Sequence, residues 1–226
     1  MSINLIEPDF KAAVFDLDGT LFDSMQFWNH IDEKFLARRG IKEVPNDYLL
    51  AIAHLGAEET ARYTRERFGL TETDEEMMSE WHEDALAFYR RDVRLKPGGH
   101  EYLTRLREKG VLLAVATASS KELYIPALER LGIIGMFGAF AEVAECKRKK
   151  GFPDVYELAC SRLGVSPAEA VVFEDIYIAV KGAKDGGFRT VGVYDSTSER
   201  DTERIKAAAD VYITGFDRLG TQYAKN

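Results

Sequence analysis

The sequence predicts an α/β protein: a doubly wound parallel sheet interrupted once by an all-α insertion. Three observations carry that prediction. From residue 97 onward, short apolar runs alternate with helical patterns. One apolar run, residues 11–15, stands far ahead of the others. Between them, residues 24–92 carry helical periodicity only. Short apolar runs bounded by turns read as buried parallel strands, and strand–helix alternation places helices on both faces of the sheet.

The first strand is Lys11-Ala12-Ala13-Val14-Phe15, ending at Asp16. Phe27, Ile31 and Phe35 then recur at four-residue spacing, and Gly40 stands where a helix C-cap belongs. Residues 57–68 and 73–91 read as further helices. The second of these opens Thr73-Asp74-Glu75-Glu76 and closes Arg90-Arg91, which complements the helix dipole at both ends. A helix over about 100–109 closes at Gly110 and leads into the strand at 111–116. Helices follow at about 121–131 and 154–163, the latter stopping at Gly164. Ser166-Pro167-Ala168-Glu169 is a capping-box turn with proline at the first helical position. The strand 170–173, a helix running to Gly186-Gly187, the strand 190–193, a helix near 199–208 and the strand 211–213 complete the pattern. The expected domains are a Rossmann-like core of residues 1–23 and 93–226 and a helical cap of residues 24–92. The connections between them lie near Asp23-Ser24 and Lys96-Pro97-Gly98-Gly99.

Composition narrows the function classes. The chain has 226 residues, 30 Lys and Arg against 38 Asp and Glu, and a formal charge of −8. That balance argues against a nucleic-acid partner, since duplex affinity comes largely from cations on phosphates. No apolar run approaches the roughly 18 residues a membrane span needs. The N-terminus, Met1-Ser2-Ile3-Asn4-Leu5-Ile6-Glu7, meets an acid too early for a secretory leader. Cys146 and Cys160 form no disulfide framework, so a reduced, cytoplasmic setting is expected. The oligomeric state is left open.

In a doubly wound sheet the ligand sits at the carboxyl ends of the strands. The first strand ends Asp16-Leu17-Asp18-Gly19-Thr20, the second Thr117-Ala118-Ser119-Ser120, and a later one Glu174-Asp175. Lys150 lies in the loop before the helix at 154. Several acids, a hydroxyl and an amine around one crevice suit phosphoryl transfer to a carboxylate. Acids at close range raise one another's pKa unless a cation sits among them, and hard oxygen ligands suit Mg²⁺. A phosphate dianion needs donors and positive charge, which Lys150, the Thr117 hydroxyl and loop N–H groups supply. One aspartate attacks phosphorus, and the other, two residues on, moves protons.

The motifs resemble those of the haloacid dehalogenase superfamily. Asp16-Leu17-Asp18-Gly19-Thr20-Leu21-Phe22-Asp23-Ser24 is similar to its first motif and Thr117-Ala118-Ser119 to its second. Lys150-Gly151-Phe152-Pro153-Asp154 is similar to its third and Val172-Phe173-Glu174-Asp175 to its fourth. The nearest subgroup is the β-phosphoglucomutase and phosphoglycolate phosphatase type. The resemblance implies Asp16 as nucleophile and Mg²⁺ ligand, and Asp18 as general acid/base that binds Mg²⁺ through its carbonyl. It implies Asp175 as a direct metal ligand and Glu174 as one acting through water. Thr117, the Ala118 N–H and Lys150 hold the phosphate. An acid at position 18 argues against the dehalogenases and phosphonatases of the superfamily.

Four positions depart from the family pattern. Ile176 and Ile178 replace a usual Ser and Gly after the Glu-Asp pair, and Gly151 replaces a usual Pro, which is expected to loosen the Lys150 loop. Trp28 stands where the mutases carry a His ten residues after the general acid, which favours hydrolysis over mutase chemistry. The expected activity is Mg²⁺-dependent hydrolysis of a small phosphate ester through an aspartyl-phosphate. The cap closes over the crevice and selects the leaving group. A β-phosphoglucomutase-type sugar phosphomutase and a non-catalytic binding relative are the alternatives. In Lys147-Arg148-Lys149-Lys150 the first three read as a solvated face, with Lys147 the fallback for Lys150. The four histidines show no metal spacing. Arg62 and His54 are candidate substrate contacts in the cap, and both cysteines read as inert.

Overall fold

The computed structural model describes residues 3–52, 55–221 and 223–224, so His54 lies outside the described residues. The chain divides into two compact units, Met1–Met25 with Val93–Asn226, and Gln26–Asp92.

The larger unit is built on one sheet. Its strands are β1 (Ala12–Phe15), β2 (Leu112–Thr117), β3 (Ala139–Glu142), β4 (Ala170–Glu174), β5 (Arg189–Val193), β6 (Val211–Ile213) and β7 (Tyr223–Ala224). They lie in the order β3-β2-β1-β4-β5-β6-β7. The first six are parallel, and the short β7 runs antiparallel to β6 at the edge. Every residue of β1 and β4 is buried, as a strand covered on both faces requires. Phe15 pairs with Phe173 across β1 and β4, and their rings stack with centroids 4.4 Å apart. The strand Ala139–Glu142 is absent from the sequence expectation. It is four residues long and alternates buried with half-buried positions, so no continuous apolar run marks it.

The helices are α1 (Met25–Arg38), α2 (Asn46–Ile52), α3 (Ala57–Phe68), α4 (Asp74–Arg91), α5 (Gly99–Glu108), α6 (Lys121–Arg130), α7 (Asp154–Leu163), α8 (Tyr177–Asp185) and α9 (Thr202–Ala208). Tyr156, Ala159 and Cys160 of α7 and Ala183 of α8 join the buried residues of β1, β2 and β4 in one apolar cluster. The two chain segments leading to and from the insertion run side by side. Asp23 N–H donates to the Arg94 carbonyl at 2.9 Å, and Lys96 N–H to the Leu21 carbonyl at 2.9 Å. The buried Lys96 ammonium pairs with Asp195 at 3.0 Å, tying this ribbon to the end of β5.

Among the described residues the smaller unit contains helices and connecting turns only. Phe27, Ile31 and Phe35 of α1 and Met77, Trp81, Ala85 and Tyr89 of α4 are buried, each set at helical spacing. Phe27 stacks on Phe88 with centroids 4.2 Å apart, and Phe35 meets Trp81 edge-on at 5.4 Å. Thr73 caps α4 by accepting from Glu76 N–H while the Glu76 side chain accepts from Thr73 N–H. Among the described residues no helix is long and apolar enough to cross a membrane.

Candidate active site

Strand order reverses direction at β1, where one chain segment leads to β2 and the other neighbour is β4. The carboxyl ends of β1 and β4 therefore flank the crevice in which an open α/β sheet binds its ligand. Asp16 follows β1 directly, its N–H donating to the Phe173 carbonyl at 3.1 Å. Glu174 ends β4 and Asp175 follows it. Carboxylate oxygens of Asp16, Glu174 and Asp175 lie within 4.8 Å of one another, and all three residues are buried.

Lys150 enters this cluster from the loop before α7. Its ammonium donates to Asp16 and sits 2.6 Å from Glu174. Glu174 also accepts from the buried Tyr156 hydroxyl at 2.7 Å. Burial pushes Asp16 up to about 7, with the Lys150 charge opposing and the Glu174 and Asp18 charges adding. Burial and the neighbouring Asp16 push Asp175 up to about 7 as well. Glu174 is raised, again chiefly by burial. Burial alone would lower Lys150, but Asp16 and Glu174 together outweigh it and hold the ammonium protonated.

The second aspartate has a different environment. Asp18 is half-buried, and its two carboxylate oxygens accept from Ser24 Oγ at 2.6 Å and Ser119 Oγ at 2.5 Å. Ser119 belongs to the loop after β2. That loop turns back because the buried Thr117 hydroxyl accepts from Ser119 N–H at 3.0 Å. Ala118 is exposed at the same strand end. Gly19 has φ +83°, and a Cβ there would lie 2.3 Å from Asp175 Oδ2. The turn thus needs glycine both for its dihedral and for the space beside the carboxylate. The buried Thr20 hydroxyl donates to the other Asp175 oxygen at 3.0 Å.

A divalent cation fits this donor set. Glu174 Oε2 and Asp175 Oδ2 are buried and have no hydrogen-bond partner among the described residues. Buried polar atoms are rarely left unpaired, and the three acids share the one buried cluster of potential metal ligands among the described residues. All the donors are hard oxygens, the set that Mg²⁺ takes.

The structure thus brings Asp16, Asp18, Glu174, Asp175 and Lys150 together, with Thr117 and Ala118 at the end of the adjoining strand. Lys147, Arg148 and Lys149 are exposed, and Arg148 pairs with Asp154 at 2.7 Å, so Lys150 is the member of the run that turns inward. The loop around Gly151 is not slack. Gly151 has φ +107°, which proline could not adopt, and a Cβ on Gly182 of α8 would lie 2.5 Å from the Gly151 carbonyl carbon. Ile176 caps α8 without a side-chain hydrogen bond, and Ile178 is exposed. In the cap, Arg62 is committed to Glu58 at 3.1 Å. Burial pushes the Cys160 thiol up to about 11, which suits an inert cysteine. The sequence reading assigned no role to Ser24, Ser119, Thr20 or Tyr156. The first three lie within or beside the quoted motifs, and that adjacency is the signal by which they could have been found.

Comparison with known proteins agrees with this geometry. The family model for haloacid dehalogenase-like hydrolases matches residues 13–193. The chain is 31% identical over 206 residues to validoxylamine A 7′-phosphate phosphatase of Streptomyces hygroscopicus, covering 90% of this chain and 93% of that protein. It is 27% identical over 198 residues to β-phosphoglucomutase of Bacillus subtilis, covering 81% and 83%. It is 27% identical over 190 residues to a phosphorylated carbohydrates phosphatase of Thermotoga maritima, covering 84% and 88%. Its fold is similar to that of CbbY from Rhodobacter sphaeroides, solved with phosphate, at a TM-score of 0.75 and 24% identity, covering 93% and 96%. The chain therefore belongs to the haloacid dehalogenase-like hydrolases, in the group of phosphatases and β-phosphoglucomutases that includes those relatives.

Proposed function

We propose that this enzyme is a Mg²⁺-dependent phosphatase that hydrolyses a small phosphorylated metabolite through a phosphorylated Asp16. One observation carries the reading. Two aspartates two residues apart have opposite surroundings, Asp16 buried against Lys150 and Asp18 half-buried between two serine hydroxyls. A carboxylate nucleophile needs a cation beside it, which Lys150 supplies to Asp16, and a proton carrier needs partners that hold it in place, which Ser24 and Ser119 supply to Asp18.

Asp16 attacks phosphorus in line, and Asp18 gives its proton to the departing alcohol oxygen. Water then enters, Asp18 takes its proton, and the aspartyl-phosphate bond breaks to release phosphate and restore Asp16. Lys150 supplies positive charge for the phosphoryl oxygens, and Thr117 and the Ala118 N–H supply donors. Asp16, the Asp18 carbonyl, Asp175 and Glu174 would hold Mg²⁺, which when bound supplies charge neutralisation between the carboxylates and the phosphoryl group. Ser24 and Ser119 keep the Asp18 carboxylate oriented. The cap closes on the leaving group and excludes bulk water. Relatives named for phosphatase action on phosphorylated carbohydrates and hexitols support a sugar-phosphate-sized substrate.

The indole N–H of Trp28 donates to the Tyr89 hydroxyl at 3.1 Å within the cap, and Asp18 takes its partners from Ser24 and Ser119. Both facts favour hydrolysis over mutase chemistry. The test is phosphate release from p-nitrophenyl phosphate and a set of sugar phosphates. Activity is expected to need Mg²⁺, to stop with chelator and to be lost in Asp16→Asn. Metal-free turnover, or normal turnover by Asp16→Asn, contradicts the reading. Conversion of a hexose 1-phosphate to the 6-phosphate without free phosphate would make the enzyme a mutase.

A further inference from the structure

The helical cap contains a cavity of about 380 Å³ lined by Trp28, Asp32, Thr60, Met78, Trp81 and His82, among others. A second cavity of about 610 Å³ shares Trp28, Asp32 and Thr60 with it. Volumes of this order suit a small ligand. The chain has two tryptophans, and both line the first cavity. No described Lys or Arg lines either one. The acids are Asp32 and, in the second cavity, Glu33. Beside Asp32 the cavities are lined by His30 and Glu33 of its own helix and by His82 of α4, and the Tyr48 hydroxyl of α2 is paired with Thr64 at 2.9 Å. Trp81 is only 8% exposed, and its indole N–H has no hydrogen-bond partner among the described residues.

These features select one ligand chemistry. A carboxylate in a cavity walled by indole rings and without a lining Lys or Arg attracts an organic cation, both by charge and by the negative faces of the rings. An anionic ligand is repelled, and a hydrocarbon would leave the carboxylate desolvated without a partner. A small ammonium compound gives the carboxylate its counter-charge and lies against the rings. Burial already pushes Asp32 up to about 6, a cost that a bound ammonium would relieve.

We propose that this cavity binds a small organic ammonium ion, Asp32 taking the charge and the side chains of Trp28 and Trp81 lining it.

Because both tryptophans line the cavity, intrinsic fluorescence of the whole protein reports its occupancy. Titration with glucosamine is expected to give a saturable change, and glucose to bind at least about tenfold more weakly. Asp32→Asn, which keeps the side-chain shape, is expected to erase that preference, and its circular dichroism checks that it folds. Equal binding of the two sugars, binding of neither, or a preference intact in Asp32→Asn overturns the proposal. Normal hydrolysis of p-nitrophenyl phosphate with no selective glucosamine binding defeats this inference and leaves the phosphatase reading standing. Selective glucosamine binding without turnover of any ester does the reverse.

Discussion

Replacing Asp32 with asparagine is expected to stabilise the cap at neutral pH. Burial raises the Asp32 carboxyl from 3.8 to about 6. The unfolded chain releases this proton more readily than the folded one, so the wild type loses stability as pH rises from about 3.8 to about 6, and the loss is complete above that window. A shift of that size corresponds to about 3 kcal/mol at pH 8 and about 0.5 kcal/mol at pH 4. Asparagine has no charge to desolvate, so the variant escapes most of the cost. Urea unfolding followed by tryptophan fluorescence reads this unit selectively, because Trp28 and Trp81 both belong to it. The variant should be more stable by up to about 3 kcal/mol at pH 8 and nearly equal to wild type at pH 4. A variant as stable as the wild type at pH 8, less stable there, or equally stabilised at both pH values refutes the reasoning.

Other substitutions probe the catalytic crevice. Gly19→Ala places a methyl group 2.3 Å from Asp175 Oδ2 and forces alanine to φ +83°. It should cost about 1–2 kcal/mol of stability in backbone strain and raise the Mg²⁺ concentration needed for half-maximal activity, measured by metal titration of phosphate release. Lys150→Met strands Asp16 and Glu174 without their cation. The loss should reach about 3 kcal/mol at pH 8 and shrink at pH 5, where the raised carboxyls protonate, as read by far-ultraviolet circular dichroism in urea. Ser119→Ala removes one of the two hydroxyls on Asp18. Steady-state kinetics should show kcat lowered about tenfold with KM changed less than about twofold.

The acids of the crevice were legible because each lies directly at the end of a strand, and a strand end is a local feature of sequence. Asp16, Asp18, Glu174 and Asp175 needed only the apolar runs before them. Lys150 was harder, since among four consecutive cations only its spacing to Pro153-Asp154 set it apart. The choice became physical only with the Asp16 and Glu174 carboxylates in place. Ser24 and Ser119 escaped assignment because they meet Asp18 across 6 and 101 residues of chain, and only folding brings them together. Tyr156, which holds Glu174 across 18 residues, is indistinguishable by periodicity from any core residue of its helix. The Ala139–Glu142 strand, the Asn46–Ile52 helix and the antiparallel β7 were invisible for a different reason. Each is too short for its apolar pattern to stand out from a loop. The cap cavity was hidden too, being made by residues that read one helix at a time as ordinary core.

The central claim, that Asp16 carries the phosphoryl group, can be tested in the Asp18→Asn variant with p-nitrophenyl phosphate and Mg²⁺. p-Nitrophenolate leaves without needing a proton, whereas water still needs Asp18 to activate it, so phosphorylation should outrun hydrolysis. We predict a burst of one p-nitrophenolate per chain, with the phosphoryl group found by peptide mass spectrometry on Asp16. A burst whose label sits on another residue, or a variant that turns over at the wild-type rate with no label, would contradict the account.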